Sequence, residues 1–174
     1  MKKIISIVVV IFTFYLLSCI IHPYVEAAYV LPYPSYMPGN KLYRISRLID
    51  TINKFWYAGN IAQVKYHLSL SDKYLVEAKT LFEYKQYLLA VDALHRSREE
   101  FDAIPFYVAQ GKKEGKDMSM FEQIISDATI AHREVLDMLK NQLPKDFYWQ
   151  PEKSQGTNLS IEKELDTVLE SLKK

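Results

Sequence analysis

Between Asn60 and Phe82 the small and apolar residues Ile61, Val64, Leu68, Ser71, Leu75, Ala78 and Phe82 recur at intervals of three and four. That spacing gathers them on one face of a long helix, and a helix of this length needs neighbours to cover that face. The same reading places Leu68 on the buried side and Lys73 on the solvated one. Everything else in the chain is constrained by the need to supply the covering surfaces.

Three more segments carry the same period. Leu42, Ile45, Ile49, Ile52 and Trp56 form one face of a preceding helix, with Asn40 as its N-cap and Gly59 marking its end; Asn60 is expected to cap the long helix. Tyr87, Ala90, Leu94, Ser97, Phe101 and Ile104 form a face of a third helix that begins near Gln86. The short turn between the second and third predicts an antiparallel hairpin. Pro105 removes one helix hydrogen bond, so Phe106 to Gln110 is read as a kinked continuation. Gly111 to Met118 reads as a polar connection. Ser119-Met-Phe-Glu122 matches a capping box and opens a fourth helix, with Phe121, Ile124, Ala128, Ala131, Val135 and Met138 facing inward and Ile125 and Leu139 widening that face.

The expected fold is all-α: an antiparallel bundle of about four helices over residues 40–143. An extended Pro/Tyr-rich lead-in precedes it at residues 28–39, where prolines exclude a helix. A polar linker at 144–158 comes after it, in which Phe147, Tyr148 and Trp149 are expected to pin the tail. Ile161, Leu165, Val168 and Leu172 then predict a short C-terminal helix within 159–174.

At the start of the chain Lys2 and Lys3 precede Ile4 to Ile21, a run without a charged residue. Residues 1–27 therefore read as a signal peptide or signal anchor. The run approaches the roughly 20 residues that cross a bilayer, and the leading lysines place the remainder of the chain outside the cytoplasm. Val25-Glu-Ala27 favours cleavage after Ala27. Retention as an anchor and acylation of Cys19, in Leu16-Leu-Ser-Cys19, are the alternatives. Membrane contact is expected only through residues 4–21 if uncleaved, or through Cys19 if lipidated.

Removing Lys2, Lys3 and Glu26 from 22 basic and 21 acidic residues leaves 20 of each, so a chain starting at Ala28 is electrically balanced. That balance offers no footprint for nucleic acid. The single cysteine lies upstream of the cut, so no disulfide or thiolate metal site is expected. About 150 residues suffice for one core.

The candidates for chemistry are His22, His67, His95 and His132. Asp92 and His95, at i and i+3, share a face and resemble half of a di-metal carboxylate site, but the sequence offers no second half. His132 beside Arg133 and Glu134 lacks the second histidine of a zinc-protease helix, and phosphate loops and nucleophile elbows are missing. The expectation is no catalytic, cofactor or metal residue. The chain reads as an exported structural or protein-interaction module at the cell envelope, with an unknown protein partner. The alternative is an extracytoplasmic bundle that binds a small molecule or metal.

Leu31-Pro-Tyr-Pro34, Pro38-Gly-Asn-Lys-Leu-Tyr43, the run from Ala62 to Lys79 and Ala131-His-Arg-Glu-Val-Leu136 together resemble an uncharacterised bacterial family of exported helical domains, classed as a domain of unknown function. The resemblance implies export and helices and carries over no site residue. One departure is Tyr84-Lys-Gln86, which stands where a glycine is expected to end the helix tightly. Leu81 to Ala93 also resembles a tetratricopeptide helix pair, without a second copy at a fixed period.

Overall fold

The computed structural model describes residues 29–153 and 155–173. The leader reading, Cys19 and His22 fall outside the described residues. Four main helices pack against each other: α1 (Lys41–Trp56), α2 (Asn60–Glu83), α3 (Tyr87–Lys113) and α4 (Ser119–Gln142). A two-stranded sheet, β1 (Asp146–Trp149) and β2 (Thr157–Ser160), and a short helix α5 (Ile161–Ser171) complete the chain. The all-α expectation holds for the bundle, and the described part of the lead-in, residues 29–39, has no regular secondary structure.

The dominant unit is the α2–α3 hairpin. Ala78, Ala90, Ala93, Ser71 and Ser97 are all buried, and their small side chains let the two backbones approach closely. The turn between the helices is closed by two backbone bonds, Gln86 N to Leu81 O at 2.9 Å and Lys85 N to Phe82 O at 2.9 Å. This pairing requires a left-handed residue, and Lys85 takes that role with φ 58°. The end of α3 is closed in the same way by Lys116 N to Gly111 O and Gly115 N to Lys112 O, both 3.0 Å, with Gly115 at φ 75°. The chain therefore builds the tight ending at Lys85 without glycine, at a steric cost of about 1–2 kcal/mol. Lys85→Gly is expected to raise stability by about 0.5–1 kcal/mol, seen as a higher urea midpoint with an unchanged slope. A lower midpoint would contradict the role given to this turn.

Several boundaries differ from expectation. Asn40 does cap α1, accepting from Leu42 N at 2.9 Å. Asn60, by contrast, is the first residue of α2, and Gly59 at φ 91° precedes it as the cap. The capping box at Ser119 does not form; the Ser119 N–H is taken by Asp117 Oδ1 at 2.9 Å, because Asp117 reaches it across a two-residue turn. α3 continues through Pro105 as expected, but it runs on to Lys113 and so includes Gly111, a residue expected in the connection. A Cβ on Gly111 would stand 2.8 Å from Met118 Sδ, so the glycine lets the connection fold back onto α3.

Two apolar cores result. One gathers Leu75, Leu81, Phe82, Leu94, Leu136, Leu139, Ile161 and Leu165 at the α2–α3 turn, with α4 and α5 closing it. The other gathers Val64, Leu68, Ile104, Val108, Met118, Phe121 and Ala128 at the opposite end of the hairpin. The inward face of α4 is rotated from the expected one. Its buried line is Phe121, Ala128, His132, Leu136 and Leu139, while Ala131, Val135 and Met138 are only partly covered.

Residues 144–158 are not a plain linker. β1 lies within them and pairs antiparallel with β2, which begins there and continues to Ser160, Phe147 opposite Leu159. Aromatic residues in β1 suit a strand, and a lone hairpin gains its stability from what it packs on. Phe147 meets the Tyr87 ring at 4.7 Å, whereas Trp149 is exposed and Tyr148, also exposed, stands against Gly156 within the hairpin, so the contact with the bundle is made by Phe147. The four residues predicted to face inward from the C-terminal helix, Ile161, Leu165, Val168 and Leu172, are all buried.

Candidate functional site

Between the two apolar cores lies a layer of polar side chains. On α2, Ser71 and Asp72 separate Leu68 from Leu75; on α3, Ser97 stands between Leu94 and Ile104; on α4, His132 stands between Ala128 and Leu136. Ser71 Oγ donates to Ser97 O at 2.8 Å and Ser97 Oγ donates to Ser71 O at 2.9 Å, a reciprocal clasp across the hairpin. Asp72 Oδ1 pairs with His132 Nε2 at 2.7 Å, and Asp72 Oδ2 accepts from the Tyr29 hydroxyl at 2.5 Å. Burial, reinforced by this hydrogen bond to Asp72, pushes the Tyr29 phenol well above its ordinary range. The His132 ring lies 5.0 Å from Phe101.

An aspartate that orients a histidine is a catalytic arrangement when the ring can reach substrate. Here both residues are buried and the third member is a half-buried tyrosine from the lead-in, so the bonds tie the lead-in, α2 and α4 to one another.

A second histidine, His67, is buried beside the second core, between Val64 and Leu68 on α2. Its Nδ1 lies 2.6 Å from Glu100 Oε2, its ring stacks on Tyr107 at 5.0 Å, and Nε2 has no hydrogen-bond partner among the described residues. Asp92 and His95 do not meet: Asp92 pairs with Arg96, and His95 Nε2 lies 2.6 Å from Glu164 Oε2 on α5. The reason is direction, since each finds a charged partner one turn along or across the helix interface rather than at i+3. Among the described residues no three His, Cys, Asp or Glu side chains are grouped to hold a metal ion. A groove of about 420 Å³ lined by Ile104, Val108, Ile125 and Thr129 lies elsewhere and contains none of these histidines.

The other unusual feature is α1. It is strongly amphipathic by sequence, yet none of its residues is buried, and its apolar face points outward. Leu42, Ile45, Leu48, Ile49, Ile52, Phe55 and Trp56 are between 44 and 83% exposed. The polar face makes the contact with α2. Tyr43 donates to Glu77 Oε1 at 2.7 Å, Lys73 Nζ reaches Ser46 Oγ at 3.0 Å and Asp50 Oδ2 at 2.5 Å, Tyr66 donates to Asp50 O at 2.7 Å, and the Arg47 guanidinium lies 5.1 Å over the Tyr74 ring. The stripe that predicts α1 is therefore present but does not face the core. Helical period identifies the face of a helix, not which side of it meets the protein.

The α2 side of this contact is tuned by burial. Glu77 is held above the ordinary carboxyl range chiefly by desolvation, against the opposing pull of the Tyr43 hydrogen bond and of Arg47, Arg96 and Lys73. Burial also pushes the Tyr66 phenol up to about 12. A carboxyl raised in the folded state contributes stability that is full below its unfolded value and fades as pH climbs through the folded one. Glu77→Gln is thus expected to be more stable than the native chain at pH 7, with the difference vanishing on titration below the ordinary glutamate range. Denaturant midpoints measured across that range test this, and a deficit at neutral pH would refute it.

Neither a curated protein nor a solved structure matches the chain. Residues 35–146, which take in α1 to α4 and with them Asp72, His132 and the outward face of α1, match the family described as Domain of unknown function (DUF5667), and the chain belongs to that family.

Proposed function

We propose that this protein is an exported, non-catalytic helical module that works by contact at the cell envelope. The observation that carries this reading is the outward apolar face of α1. Seven large apolar side chains at three-four spacing, held outward by polar bonds on the opposite face, form a continuous patch of the kind that marks an interaction site. Export is supported by Lys2-Lys3 and the uncharged run from Ile4 to Ile21. Burial of Asp72, His132 and His67 supports a structural use for the groups that could otherwise act as acids or bases.

Location and processing are tested together on intact cells. Added protease should digest the chain without lysis, and intact mass of the recovered protein should show loss of residues 1–27, their retention as an anchor, or a lipid on Cys19. A chain protected from protease and recovered in the cytosol with Met1 to Ala27 in place would overturn the reading.

A further inference from the structure

We infer that α1 lies in the plane of an anionic membrane surface, its apolar face in the headgroup boundary, as the contact through which the module acts. The inference deepens the proposed function and rests on it for delivery to the outer side of a bilayer.

The composition of the helix selects a bilayer over a protein. An in-plane helix needs a wide apolar face, basic residues and aromatic side chains, and too little apolar length to span. α1 has sixteen residues, about 24 Å of axis, and among the described residues no helix is long and apolar enough to cross a membrane. Lys41, Arg44, Arg47 and Lys54 are its cations, and Asp50 is its one acid. Asp50, held by Lys73, and Arg47, over the Tyr74 ring, are both turned toward α2, so α1 offers solvent its apolar groups and the cations Lys41, Arg44 and Lys54 without a negative one. Lys41 and Arg44 border the apolar strip, and Phe55 and Trp56 stand 83 and 81% exposed at its end, in the positions that interfacial aromatics occupy.

The same charge pattern disfavours a second copy. Two such helices placed face to face would set cations against cations with no acid to answer them, whereas an anionic headgroup layer attracts each one. The chain length agrees. Nineteen residues separate Ile21, the end of the membrane-directed run, from Lys41. Such a stretch spans at most roughly 65 Å, so while that run is in a bilayer α1 is kept close enough to lie on the same surface.

Trp56 reports the contact directly. With Trp149→Phe it becomes the sole tryptophan of the full chain. The full chain would be reconstituted into vesicles of phosphatidylcholine, with or without phosphatidylglycerol, carrying brominated acyl chains. Because the chain's own apolar run will hold it on either vesicle, the readout is the Trp56 environment and not binding. We expect emission at shorter wavelength and quenching by bromine when phosphatidylglycerol is present, both reduced by Ile49→Asp. Arg44→Gln should lower occupancy of the anionic surface about fivefold. No α1 side chain is buried, so these variants should keep the native helical circular dichroism. Trp56 that stays unquenched in both vesicles, quenching indifferent to phosphatidylglycerol, or a tryptophan shielded by a cross-linked second copy would overturn the inference. Vesicle quenching by a chain that cells retain in the cytosol would instead remove the export reading and leave the surface chemistry standing.

Discussion

Asp72→Ala is expected to lower the unfolding free energy by about 3–5 kcal/mol, the cost of breaking a buried polar pair from one side. Asp72 uses one oxygen for His132 and the other for Tyr29, so its loss leaves a buried imidazole and a half-buried phenol without their partner. Each stranded group carries its own desolvation penalty, and the truncation also opens a cavity. Asp72→Asn, which keeps the shape and one acceptor, should cost less. Replacing all three members with apolar residues of similar volume, Tyr29→Phe, Asp72→Leu and His132→Phe together, should recover most of the loss, because no unpaired polar group then remains. Urea unfolding at neutral pH measures all three proteins. A loss under about 1 kcal/mol for Asp72→Ala would mean that water satisfies the stranded groups and that the layer is not sealed.

Leu68→Asp should be of similar severity. Leu68 is buried in the core that contains Val64, Ile104 and Phe121, and an unpaired carboxylate there costs several kcal/mol or drives protonation. The proper comparison is Ser69→Asp, one position along and exposed, for which a change within about 0.5 kcal/mol is expected. Lys73, which the helical period places on the solvated side, is unsuitable: it is part-buried and paired with Asp50, so an acid there would face another acid. Equal midpoints for Leu68→Asp and Ser69→Asp would refute the position of α2 at the centre of the bundle.

The long helices are legible in the sequence because their period is a backbone property and four of the inward stripes are mostly apolar. The stripes of α2 and α3 lie on the correct faces, and all the inward residues of α5 are identifiable. Four things are not legible. The face of α4 is misplaced when apolar residues alone are counted, because His132, four residues from both Ala128 and Leu136, occupies a line that such a count passes over. α2 is buried on several sides, so Tyr66, Asp72, Tyr74 and Glu77 lie inside although a one-sided stripe excludes them. The outward orientation of α1 is set by Tyr43, Ser46 and Asp50 bonding to α2, and no count of its own residues reveals those partners. His67 and Glu100 are far apart in sequence, and their pairing arises only from the hairpin. The signal that points to the polar layer is the coincidence of Ser71, Ser97 and His132 on otherwise apolar lines.

That layer also determines how the helices can be aligned. A slide of α4 along α2 by one turn, about 5.4 Å, would still set apolar residues against apolar residues at both ends. It would, however, carry His132 away from Asp72 and into an apolar level, with neither group satisfied. Sliding α2 against α3 would break both bonds of the Ser71–Ser97 clasp in the same way. Two leucine-rich cores alone tolerate such slips; the polar level between them admits one alignment. Tyr29 adds a further condition, since the lead-in fastens to the same Asp72 that meets His132, and so ties the approach of the chain to that one alignment.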